Sequence, residues 1–123
     1  MAARALVSVM LGVSSFLAVL AVAATAAAAA PTPAGVTLTL KNHRFTPATF
    51  TVPSGQRVRV TLINQDAATE EFDSHDLRLE EVVTPMGRIS FDIGPLQAGQ
   101  YSFMGEFHPE TAQGKVTAAV AER

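Results

Sequence analysis

The chain has 123 residues, a formal net charge of −2 and no cysteine. Disulfides and thiolate ligands are therefore excluded, so the fold must rest on hydrophobic burial and any metal chemistry on oxygen, imidazole or thioether donors. Beyond Arg4 the remaining lysines and arginines form no basic cluster and are outnumbered by acidic residues, which argues against nucleic acid as a partner.

Arg4 is the only charge before Lys41, the stretch from Leu6 to Val22 is apolar, and an alanine-rich run follows that ends at Pro31. A basic start, an apolar middle and several small-residue cleavage options read as a secretory signal, with cleavage expected between Ala24 and Ala30. The rival is an uncleaved anchor, since a span of about 20 apolar residues crosses a bilayer. The reading adopted is a signal peptide over 1–30, a linker over 31–35 and one domain over 36–123. That leaves about 90 residues to fold, a size at which roughly two-thirds of the unfolded surface is buried.

In chain order the first predicted strand is "VTLTLKN", residues 36–42, which alternates apolar and polar positions. The segment 48–64 alternates twice, broken by "PSG" at 53–55. Val58, Val60 and Leu62 fall on one face and Arg57, Arg59 and Thr61 on the other, the signature of a strand with one wet side. "DLRLEEVV" reads as a turn or short helix. "RISFDIGPL" places Ile89, Phe91 and Ile93 inward, and "GQYSF" and "GKVTAAV" supply the last strands. The turn signals "PSG", "PMG", "LQAG" and "AQG" recur at the spacing of an all-β Greek-key sandwich, expected here with antiparallel pairing over residues 35–121.

Charge concentrates between Asp66 and Glu81, where acidic residues meet only Arg78 and His75. Such a run ordinarily forms a solvated face. In a Greek-key sandwich, however, this loop and the "GEFHP" loop meet at one pole.

"FTPATFTVPSGQRVRVTLINQD", "GPLQAGQYSF" and "GKVTAAV" together resemble the cupredoxin pattern across nearly the whole domain. In blue-copper members two histidines, a cysteine and a methionine ligate the metal. Carried onto this chain, Glu70 stands at or next to the first histidine's place, Gly105 at the cysteine's, His108 at the second histidine's, and "TAQG" in the methionine's region. The resemblance thus implies the fold without the thiolate that defines type 1 copper. "EEFDS" followed by "GEFHPETAQG" is similar to the periplasmic cupredoxin-like proteins found with bacterial ferrous-iron uptake systems. That similarity implies an accessory to a high-affinity iron permease that handles iron, copper or both.

The candidate ligands are Glu70, Glu71, Met104, Glu106 and His108. Carboxylate with imidazole suits iron and Cu(II), whereas a thioether favours Cu(I). Glu70 and Glu71 face opposite sides of an extended chain, and alignment favours Glu70. Glu106 and His108 share a face if the chain between them is extended, whereas Met104 falls on the other face from Phe103 and reads as packing. Met86, in "TPMG", carries the same doubt, and His43 and His75 read as exposed polar residues. Tyr101, Phe103 and Phe72 are assigned to the core. Two further classes stay open: a ferroxidase in which bound copper takes an electron from carboxylate-held Fe(II), and a metal-free module that docks a membrane partner through its acidic loop. The sequence leaves homodimerisation open and carries no arrangement that suggests hydrolysis.

Overall fold

The computed structural model describes residues 34–120, with Gly12 and Ala21 besides, so the expected signal peptide and most of the linker lie outside the described residues. Contacts divide the chain into units 1–30 and 31–123, and the fold described belongs to the second.

Nine strands are present among the described residues: β1 (Ala34–Lys41), β2 (Arg44–Thr46), β3 (Thr49–Pro53), β4 (Val58–Asn64), β5 (Glu70–Ser74), β6 (Leu79–Val83), β7 (Arg88–Ile93), β8 (Gly99–Gly105) and β9 (Gln113–Ala119). They form two sheets, ordered β2-β1-β4-β7 and β3-β9-β8-β5-β6. Alternation drives each strand to bury one face. In β4, Val58, Val60 and Leu62 are buried while Arg59 is exposed and pairs with Asp92 of β7 at 2.7 Å. Leu38, Leu40, Val60, Leu62 and Phe91 from the first sheet meet Val52, Phe72, Val83, Phe103 and Val116 from the second. Phe72 anchors this interface, its ring 4.8 Å from those of both Phe91 and Phe103. Tyr101 packs against the core from a partly buried position.

Two expectations need correction, and one strand is additional to those expected. Pairing is mixed rather than antiparallel throughout, because β1 runs parallel to β4 and β3 parallel to β9. "DLRLEEVV" contains no helix; after a turn it enters β6, where Leu79, Glu81 and Val83 alternate with the more exposed Glu80 and Val82, and pairing with β5 overrides local helix preference. The short strand β2 has no counterpart among the predicted elements, since three residues are too few to show a period.

One pole of the sandwich gathers four connections. The β1–β2 turn, the β4–β5 loop, the β6–β7 turn and the β8–β9 loop are tied together there. Buried Asn64 donates from Nδ2 to Ala68 O at 2.8 Å and to Thr84 O at 3.1 Å, and its Oδ1 accepts from Asp66 N. Met86 N donates to Asp66 O at 3.0 Å, which docks the β6–β7 turn on the same loop.

Candidate metal centre

β1 and β2 are joined by two residues, Asn42 and His43, both with positive φ (51° and 56°), while Lys41 and Arg44 pair directly. A two-residue turn of this kind requires left-handed backbone at both central positions, which asparagine and histidine tolerate better than most residues. Asp66 holds the turn in place: Oδ1 accepts from Asn42 N at 2.7 Å and Oδ2 from His43 N at 2.9 Å. The His43 ring lies with Nδ1 3.5 Å from the same Oδ2.

Burial alone would raise the Asp66 carboxyl, but the hydrogen bonds from His43 and Asn42 outweigh it and hold the group below the ordinary aspartate value of 3.8. A depressed native value means that the unfolded chain takes up the proton first. The resulting stabilisation is present above the ordinary value and lost as pH falls through the native one. Asp66→Asn should therefore flatten the acid limb of the stability profile, which thermal melts between about pH 3 and pH 5 would read.

Glu70 opens β5 and points inward beside Phe72, with only 1% of its surface exposed. Its carboxylate is fully partnered. Oε1 accepts from Glu71 N at 3.0 Å and Phe107 N at 2.9 Å, and Oε2 lies 2.7 Å from His108 Nδ1. His108 is set by a compact loop in which its N–H donates to Gly105 O and its carbonyl accepts from Ala112 N at 2.9 Å. The ring of His43 stacks on that of His108, centroids 3.5 Å apart and planes within 11°. His43, Glu70 and His108 each offer a ligand atom, and these three atoms lie within 4.8 Å of one another.

The other candidates stand elsewhere. Glu71 pairs in register with Val82 on the outer face of β5, and Met104, 40% exposed, pairs with Asp73. Glu106 lies in the turn after β8 rather than in extended chain, so the parity that would align it with His108 does not apply. It sits instead against Asp73, whose hydrogen bond and negative charge raise the Glu106 carboxyl above 4.5, with desolvation, Glu71 and Glu80 adding in the same direction. A raised native carboxyl contributes stability below the unfolded value and loses it as pH rises through the native one. Asp73→Asn should thus raise the melting temperature at pH 7, and the gain should shrink toward pH 4, the range of an ordinary carboxyl (about 4).

His43 is the member that sequence reasoning left on the surface. Its signal was "NH" between a period-two strand and "RFT", a two-residue turn whose second strand is too short to announce itself. Met86 is 70% exposed at the β6–β7 turn, and His75 is exposed beyond β5.

The donor set contains two imidazoles and a buried carboxylate and no sulfur. It fits Cu(II) or iron and does not fit thiolate-bound copper.

Comparison with known proteins agrees with this architecture. An uncharacterised protein of Rickettsia prowazekii (strain Madrid E) is 42% identical over 79 residues, which cover 64% of this chain and 63% of the relative's length. Among solved structures, the Cu(I) form of an amicyanin M98A mutant superposes with a TM-score of 0.57 at 20% identity, covering 69% of this chain and 82% of that one. Auracyanin B reaches 0.62 at 12% identity, covering 73% and 92%. The Cu(I)-bound metal-binding domain of a Cu(I)-exporting P-type ATPase from Streptococcus pneumoniae D39 reaches 0.60 at 13% identity, covering 69% and 84%. These likenesses establish the fold alone. The family model for the cupredoxin-like domain matches residues 13–118, and with the two-sheet sandwich this places the chain in the cupredoxin-like family.

Proposed function

We propose that this protein binds Cu(II) or iron at one pole through His43, Glu70 and His108, and works as an exported, periplasmic accessory to an iron permease. The observation that carries the metal reading is the convergence of three ligand atoms within 4.8 Å at the pole of a cupredoxin-like sandwich. The link to iron acquisition rests on the likeness of "EEFDS" and "GEFHPETAQG" to proteins of ferrous-iron uptake. Where copper is the bound ion it would supply a one-electron acceptor; where iron is bound, the carboxylate of Glu70 favours the harder Fe(III) over Fe(II). The chain's own part is to hold the donors. β5 fixes Glu70 from the core side, the 105–112 loop presents His108, and Asp66 fixes the turn that carries His43. Imidazole and carboxylate must present free lone pairs to ligate, so cation binding should compete with protons and release them.

Calorimetric titration of the purified protein with Cu(II), Fe(III) and Mn(II) tests this reading, and the heat of binding should change with the ionisation enthalpy of the buffer. Absence of binding by all three metals would refute it. The copper-loaded protein should also lack the intense blue absorption near ~600 nm of thiolate-ligated sites, because the chain contains no cysteine.

A second reading is favoured by one observation. Asp73 faces Glu80 directly across β5 and β6, and Glu71 and Glu106 lie close by, with no ion pair to any of the four among the described residues. Like charges placed opposite one another destabilise a sheet. Such a face suits docking to a basic partner, and an unchanged pull-down after charge removal at these positions would dismiss it.

A further inference from the structure

We infer that Gly105 is the specificity-determining residue of the pole, because its missing side chain is the space into which the Glu70 carboxylate fits. This rests on the proposed metal site and adds to it what seats the carboxylate. Gly105 is buried at the end of β8, opposite Phe72, with its N–H donating to Ala112 O at 2.8 Å and its carbonyl accepting from His108 N at 3.1 Å. Its φ lies outside the left-handed region, so the backbone itself accepts any residue there. The requirement is for room. A Cβ at this position would stand 2.7 Å from Glu70 Cδ, 3.0 Å from Glu70 Oε1 and 2.7 Å from Ala112 Cβ. Carbon atoms pack best at about 3.5–4.0 Å, so both carbon approaches are strongly repulsive.

Glu70 has little freedom to yield. Its Oε1 is held by two backbone N–H groups and its Oε2 faces His108 Nδ1, so a shift that frees space for a Cβ breaks those hydrogen bonds. A side chain at position 105 therefore removes the carboxylate from the ligand set and leaves the imidazoles. Loss of an anionic oxygen donor weakens a hard cation more than one that imidazole already satisfies. Gly105 thus biases the pole toward Fe(III), and a residue with a Cβ would bias it toward Cu(II).

The test separates the Glu70 collision from the Ala112 collision. Gly105→Ala is combined with Ala112→Gly, which removes the Ala112 approach and keeps that of Glu70, and the pair is made in the parent and in a Glu70→Ala background. Thermal stability is measured without metal, and affinity is measured for Cu(II) and for Fe(III) supplied as its nitrilotriacetate complex. The expected result is a stability loss from the position-105 change that shrinks markedly in the Glu70→Ala background. With Glu70 present, Fe(III) affinity should fall at least tenfold and Cu(II) affinity by less. Additive stability effects, or equal losses for both metals, would overturn the inference. A parent that binds neither metal would contradict the proposed function instead, and the metal-free cycle would still decide whether Gly105 seats Glu70.

Discussion

Replacing His108 with alanine should weaken Cu(II) binding by an order of magnitude or more, about 1.4 kcal/mol for each tenfold. The substitution removes one ligand and also strips Glu70 of the partner 2.7 Å from its Oε2. Because Glu70 is buried, a carboxylate oxygen left without a partner costs about 1–3 kcal/mol, so the variant should also melt lower without metal. The contrast with neighbouring changes is the informative part. Glu70→Gln should weaken binding, whereas Glu71→Gln and Met104→Leu, both on the outer face of the sheet, should leave it nearly unchanged. Affinity should fall on acidification, since protons compete with the metal for the imidazole lone pairs. Isothermal titration of the four variants at pH 7, and of the parent between about pH 5 and pH 8, reads both effects.

Phe72→Ala should have the largest effect on the fold. The ring is 1% exposed and lies between Phe91 of the opposite sheet and Phe103 of its own, with Phe45 meeting it edge-on. Removing a buried phenylalanine costs about 3–5 kcal/mol, a large share of the ~5–15 kcal/mol that holds a typical domain together. For a domain of this size each kcal/mol moves the melting temperature by roughly 4–8 °C, so a fall of more than 10 °C is expected. Phe72 also follows Glu70 on the inward face of β5, so the variant should bind metal less well even where it remains folded. Phe72→Leu, which keeps most of the volume, should lose much less on both counts, and thermal melts of the two variants check the difference.

Period-two alternation reports facing, and the sequence is legible wherever facing is all that matters. It assigned Val58, Val60 and Leu62 to the core, separated Met104 from Phe103, and set Glu70 and Glu71 on opposite sides of one strand. It failed where the chain leaves the extended state. Glu106 lies in a turn, so its side chain meets Asp73 instead of lying in line with His108. His43 owes its place to a left-handed two-residue turn held by Asp66, twenty-three residues away, a tertiary relation that no local pattern encodes. The parallel partnership of β1 with β4 and of β3 with β9 likewise depends on chain crossing. Gly105 could be aligned from sequence, but the reason for its glycine, the Glu70 carboxyl beside it, emerges only from packing.

In the proposed site, two imidazoles and one carboxylate of this pole hold a single ion. Electron paramagnetic resonance of the Cu(II)-loaded protein tests it most directly, through the hyperfine coupling of copper to directly bound nitrogen. Coupling to two imidazole nitrogens is expected in the parent, reduced to one in His43→Ala and likewise in His108→Ala. A parent spectrum without imidazole coupling, or one left unchanged by both substitutions, would contradict it.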